Sequence, residues 1–292
     1  MLHVIGVDIS ITSMKLGLFD KDGSLLSGKV IPTPKLTTPG TLTIALCEAV
    51  TGLDPDHRAS LIGISLPGLT DVTARVVCAC TNFPGWENVP LAEWLEARLG
   101  RQVTLENNTS CTLAGEAWKG SAVGFINVVL LTFGSRVCGS AMLKRKSLIG
   151  YNGNFAEPSL IGSQSHYDNS IREQPMGTRI IRYHCSSDLA KLAQEADAGN
   201  QRALTAWTSY ITTLGLGISS LVYTFTPQLV LLSGLLVGNT YHFLLPRIYQ
   251  ELTQCVQQLV SYEGLLIRSC TLGNDASRLG AAHLALKRLA GM

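Results

Sequence analysis

Two short runs gather amide side chains, Asn82-Phe83-Pro84-Gly85-Trp86 and Glu106-Asn107-Asn108. An Asn side chain offers an acceptor oxygen and two N–H donors, so it suits recognition of hydroxyl-rich ligands. It does no acid–base work, because a neutral amide such as Asn108 cannot take a proton from a hydroxyl near pH 7. Asn82 and Asn107 read equally well as turn or cap residues. The eight cysteines lie at 47, 78, 80, 111, 138, 185, 255 and 270. Cys78 and Cys80 alone are close, and without a second pair nearby they read as buried thiols, not as a zinc site. Lys144-Arg145-Lys146, the one notable basic cluster, reads as a solvated turn between two strands.

The elements that must position these residues follow from periodicity. Val4 to Asp8 and Lys15 to Phe19 read as strands around a Ser10-Ile11-Thr12-Ser13 turn, with Asp22-Gly23 leading into a third strand. Thr41 to Val50 is helix-periodic, and Ser60 to Leu66 is an apolar strand ended by Pro67-Gly68. Leu91, Trp94, Leu95 and Leu99 share one helix face before Gly100, Gln102 to Leu105 is a strand, and Thr109 to Lys119 a helix. A second cycle starts with Phe125 to Phe133. Long helices cover about Gln201 to Thr224 and Tyr241 to Ser261, enclosing a buried strand, Leu229 to Ser233. The strand Ile267 to Thr271 and the helix Ala276 to Leu289 close the chain. This order predicts an α/β protein of two lobes with largely parallel or mixed sheets.

The 292 residues, 46% hydrophobic and 15% charged, suit one large unit or two lobes. A net charge of +2 gives no reason to expect nucleic acid or an anionic membrane as partner. The apolar runs Phe125 to Phe133 and Leu229 to Val237 are too short to span a bilayer. No leader pattern precedes the first strand, so a cytoplasmic location is expected.

Five runs, in order, resemble motifs of the ROK family of bacterial sugar kinases and sugar-responsive repressors. Asp8-Ile9-Ser10-Ile11-Thr12-Ser13-Met14-Lys15 is similar to its first phosphate motif, Asp-Ile-Gly-Gly-Thr-x-x-Lys. Ser65 to Asp71 resembles its Pro-Gly-x-Val-Asp loop. The stretch from Asn82 to Asn108 resembles Asn-Leu-Pro-Gly-Trp, Val-Pro-Leu, helix, strand, Glu-Asn-Asp. Gly150 to Glu157 resembles Gly-Ala-Asn-Gly-x-Ala-Gly-Glu, and Gly273 to Ala282 its closing Gly-x-Asp-Ala-x-x-x-Gly-Ala-Ala helix. Pro227 to Gly234 also resembles the strand and turn that cover adenosine. The resemblance implies a two-lobed actin-like ATPase (ribonuclease-H-like) sugar-kinase fold. It divides the chain into residues 1–115, completed by the C-terminal helix 276–292, and a larger lobe 116–275. Gly68, Asn82, Asn107 and Glu157 then bind the sugar, Asp8, Thr12, Gly134, Ser135 and Gly234 face ATP and Mg²⁺, and a homodimer is expected.

The departures from the pattern are as telling as the matches. Asn108 stands at the position of the family's catalytic Asp. Ser10 and Ile11 replace two glycines where backbone should approach a phosphate, and a β-branched Ile disfavours positive φ. Gly134-Ser135-Arg136 replaces Gly-Thr-Gly. The zinc motif is missing: Leu160 occupies its His position, Ser170 that of its last ligand, and no cysteine lies between Gly139 and His184. His166 reads as a surface loop residue, and Arg172 aligns with a sugar-contacting Glu. The expected function is therefore binding of a hexose or N-acylhexosamine with phosphoryl transfer impaired or lost. The alternative is a working ATP-dependent sugar kinase (glucokinase, fructokinase or N-acetylhexosamine kinase type) that uses Asp71, Glu106 or Asp168 as base. A repressor is disfavoured, since only Leu2 and His3 follow the first Met before the Val4 strand and no DNA-binding domain precedes it.

Overall fold

The computed structural model describes residues 2–80, 82–133, 137–151, 189–234, 240–255 and 264–291. The described residues of Met1–Gly124, Ser147–Phe155 and Thr271–Met292 form one compact unit, and those of Phe125–Lys146 and Ala156–Cys270 a second. Among the described residues no helix is long and apolar enough to cross a membrane.

The first unit opens with β1 (His3–Ile9), β2 (Ser13–Asp20) and β3 (Leu25–Pro32), an antiparallel meander. Its second hairpin is set by Gly23 at φ 83° and by the Asp20 carboxylate, which accepts from the N–H groups of Asp22 and Ser24. Helix α1 (Pro39–Leu53), capped by Thr38, leads to β4 (Ala59–Leu66). A small antiparallel sheet of β5 (Leu69–Thr70), β6 (Val77–Ala79) and β7 (Glu87–Val89) follows. Then come α2 (Leu91–Leu99), ended by Gly100 in the left-handed region, and β8 (Gln102–Asn107), which runs straight into α3 (Asn108–Lys119). The main sheet has the order β3-β2-β1-β4-β8, with β4 parallel to both β1 and β8.

The two faces of that sheet are packed by different means. On one face Ile5, Val7, Ile62, Ile64, Val103 and Leu105 form a continuous apolar core with α1 and α2. On the other, glycines let a helix backbone touch the strands. A methyl group on Gly6 would overlap the Arg278 carbonyl, and one on Gly63 the Ala281 carbonyl. The apolar pocket of Val4, Phe19, Leu61, Leu279, Ala282 and Ala285 completes that contact. The free edge of β8 is covered from the side: Leu105 donates its N–H to the Ala74 carbonyl and Val103 its own to the Glu96 carboxylate.

In the second unit β9 (Val128–Phe133), β10 (Val137–Leu143) and β11 (Lys146–Ser147) precede α4 (Leu189–Asp197), α5 (Gln201–Phe225), β12 (Leu229–Ser233), α6 (Tyr241–Cys255) and β13 (Leu266–Ser269). The sheet order is β11-β10-β9-β12-β13, and β12 is parallel to both β9 and β13. Both sheets therefore place an antiparallel pair beside a run of parallel strands. The basic cluster forms the turn between β10 and β11, with Lys144 and Arg145 at φ 51° and 64°. Helix α7 (Ala276–Leu289) ends the chain in the first unit.

Several boundaries differ from expectation for local reasons. β9 starts at Val128, because the N–H groups of Ile126 and Asn127 are taken by the Gln228 side chain and not by a neighbouring strand. β13 runs from Leu266 to Ser269, starting one residue before the expected Ile267 and ending two before Thr271. The expected helix from Tyr241 to Ser261 is seen to Cys255, and its last residues lie outside the described ones.

Candidate functional site

Three loops at the ends of β4, β6 and β8 are joined by side chains. Asn107 ends β8 and caps α3. Its Oδ1 accepts from the Thr109 N–H at 2.8 Å, and its Nδ2 donates to the Gly68 carbonyl at 2.9 Å. One amide thus fixes the start of α3 to the turn after β4. Cys80 donates its thiol to the neighbouring Pro67 carbonyl, and its backbone N–H donates to the Trp86 carbonyl. The Asn82 turn is anchored by its aromatic neighbours. Phe83 and Trp86 are buried in the core with ring centroids 5.7 Å apart, and the indole N–H donates to the Thr37 carbonyl at 2.7 Å. Asn82 itself is exposed. Gly68 and Asn82 thus stand on turns tied to each other through Cys80, and Gly68 is tied through Asn107 to the junction of β8 and α3 where Asn108 begins the helix.

Asn108 is the first residue of α3, and Thr109 donates its hydroxyl to the Asn108 Oδ1 at 3.4 Å. Glu106 and Asp71 differ sharply as proton acceptors. Burial pushes the Asp71 carboxyl up, but hydrogen bonds from the Thr73 hydroxyl and the N–H groups of Val76, Arg75 and Thr73 outweigh it and hold the group below the usual range. Asp71 shapes its own loop and is a weak base. Burial pushes the Glu106 carboxyl up, opposed by the Asn107 N–H and by the charge of Arg288. Asp168 lies outside the described residues.

A second group lies along one row of the main sheet. Strand register aligns Lys15, Asp8, Ser65 and Glu106 across β2, β1, β4 and β8, so their side chains share the face that carries α7. Ser65 donates to Asp8 at 3.2 Å, and the Ser65 and Ser277 hydroxyls are 2.5 Å apart. Burial pushes the Asp8 carboxyl up, against hydrogen bonds from Ser277 and Ser65 and the charges of Lys15 and Arg278. The fully buried Cys111 lies close to Glu106 and Asp8, and burial raises its thiol well above the ordinary value. No sequence motif marked Ser65 and Ser277 as partners, since they are 212 residues apart.

The loop from Ser10 to Ser13 closes on itself. The Ser10 N–H donates to the Ser13 carbonyl, and the Ser13 N–H to the Ser10 hydroxyl. The Thr12 carbonyl accepts from the Thr33 N–H, and the Thr33 hydroxyl donates to the Ser10 carbonyl. Thr12 is exposed, as is Ile11 at 60%. An anion cradle needs free main-chain N–H groups with little side-chain bulk. Those of Ser10 and Ser13 are already used, Ile11 adds a branched side chain, and the Asp8 carboxylate is held by two serines. Of the four N–H groups in this loop, those of Ile11 and Thr12 are the ones left to meet a phosphate.

In the second unit Gly234 follows β12 at φ 100°, and a methyl group there would overlap the Phe133 backbone. Backbone conformation and packing account for a glycine at this position by themselves. Gly134, Ser135, Arg136, Glu157, Leu160, His166, Ser170 and Arg172 lie outside the described residues.

Comparison with known proteins agrees with this architecture. The family model for the ROK family matches residues 4–162 and 170–288. A glucokinase from Thermotoga maritima is 26% identical over 321 aligned positions, covering 99% of each chain. An N-acetyl-D-glucosamine kinase from Citrobacter koseri is 34% identical over 147 residues, 50% of this chain and 48% of the relative. Among solved structures, the ROK hexokinase from Thermus thermophilus superposes with a TM-score of 0.82 at 27% identity, covering 100% of both chains.

Proposed function

The chain belongs to the ROK family, and from that premise we propose that it binds a hexose or N-acylhexosamine while its ATP-dependent phosphoryl transfer is impaired or lost. The observation that carries this reading is Asn108. It is the first residue of α3, beside the Asn107 that holds Gly68, and it offers an amide where the family pattern has a carboxylate. The sugar side keeps most of its residue types: Gly68, Asn82 and Asn107 are joined by braced turns and strand ends, and Glu157, outside the described residues, is assigned by its motif alone. Loss of a positioned base lowers a rate by roughly 10²–10⁴. The closed Ser10–Ser13 loop adds a second, independent obstacle, on the nucleotide side.

A second reading, a working sugar kinase with an unorthodox site, is favoured by the full-length relative named a glucokinase. Titration calorimetry separates the two. With glucose, mannose and N-acetyl-D-glucosamine, with and without Mg-ATP, the first reading expects heat of binding from a sugar and none from the nucleotide. Tight Mg-ATP binding, or turnover that Asp71→Ala abolishes in a folded protein, overturns it in favour of the second.

A further inference from the structure

The Gly68 loop is held from two sides, and Cys80, the residue on the second side, belongs to no motif that resembles the family pattern. Its Sγ donates to the Pro67 carbonyl at 3.0 Å, and the backbone N–H groups of Asn82 and Phe83 lie against the same sulfur. The Cys80 carbonyl also accepts from the Phe83 N–H. One small side chain therefore joins the end of β4 to the turn that carries Asn82. Cys80 is 5% exposed, and burial pushes its thiol up, which keeps it in the S–H form that donates. Across a trans peptide, a Pro67 carbonyl turned towards the sulfur turns the Gly68 N–H away from it. The next carbonyl, that of Gly68, is held by Asn107. The fit is close: a methyl group on Gly68 would lie 2.8 Å from the Ala79 carbonyl and 3.1 Å from the Cys80 Cβ.

We propose that Cys80 is a positioning residue of the sugar platform. Its thiol fixes the Pro67–Gly68 peptide against the Asn82 turn, and so sets the spacing between two of the groups that meet the sugar. This rests on the sugar-binding reading above. It differs from the bland role of a buried cysteine as a small apolar filler, because a filler needs no donor.

The test compares wild type, Cys80→Ala and Cys80→Ser. Hydrogen exchange of the free protein reads the loops directly, and calorimetry with glucose and N-acetyl-D-glucosamine reads binding. Cys80→Ala should speed exchange across 66–70 and 82–86 and weaken sugar binding about threefold, in keeping with one weak hydrogen bond that positions the loop. Its melting temperature should fall by only a few degrees, with the faster exchange confined to these loops. Cys80→Ser, which keeps an O–H donor, should recover most of both effects. The proposal is overturned if Cys80→Ala exchanges and binds like wild type, or if Cys80→Ser is as impaired as Cys80→Ala. A wild type that binds neither sugar defeats the sugar-binding reading instead, and the exchange comparison still decides what Cys80 does.

Discussion

Asn108 and Asp8 carry most of the chemical meaning of this chain, for opposite reasons. In the proposed reading, 108 is the position where the family pattern has an Asp, and an amide there lacks both the charge and the basic lone pair that could accept a proton. At 8 the carboxylate remains, but Ser65 and Ser277 hold it and burial raises its affinity for a proton. A carboxyl whose folded-state pKa is raised contributes most stability when protonated, and that contribution is lost as pH rises from its ordinary value of 3.8 through the raised one. Asp8→Asn should therefore raise the melting temperature by a few degrees at pH 7. The gain should shrink as pH falls towards 3.8, as calorimetric melts at several pH values would read. Of these residues, the amide run was legible in the sequence because it is local. The serine pair was not, because only folding brings α7 to β4. Asn107 does cap α3, with its other end bound to Gly68, and its contact with a sugar belongs to the proposal.

The strands and helices of the first unit were largely legible because each has a clear period and a marked end. Gly100 stops α2, Pro67-Gly68 ends β4, and Asp22-Gly23 turns β2 into β3. The small sheet was not legible: its strands are two or three residues long, too short for any alternation to register. Helix α4 also went unread, although its buried Leu192, Ala193 and Ala196 fall on one helical face. The seat of α7 shows what the closing glycine-and-alanine motif does physically. Gly280 lies against the Cys111 carbonyl and Gly115 against the Ala276 carbonyl, so α3 and α7 touch backbone to backbone. Gly280→Ala would force that contact apart, and overpacking of this kind costs about 1–3 kcal/mol or more. The expected outcome is a lower urea midpoint with an unchanged slope. Stability equal to wild type would show that the helices can separate without cost.

At the scale of the whole molecule, the same sheet plan appears in both units, and membership of the ROK family follows from a match over nearly the entire chain. Fold and chemistry are recorded differently in such a sequence. The fold depends on many apolar positions and glycines, so it survives the exchange of single polar residues. The chemistry depends on a few side chains, and our proposal is that most of those on the sugar side are kept while the proton acceptor and the first phosphate loop are altered. The most direct measurement is ADP release with Mg-ATP and either glucose or N-acetyl-D-glucosamine, for wild type beside Asn108→Asp. Wild type should release ADP barely above a sugar-free control, and Asn108→Asp, which restores the proton acceptor but leaves the closed Ser10–Ser13 loop as it is, should stay near that level too. Rapid, sugar-dependent ADP release by the unaltered chain, at a rate Asn108→Asp does not exceed, would contradict the view that its catalytic machinery has been lost.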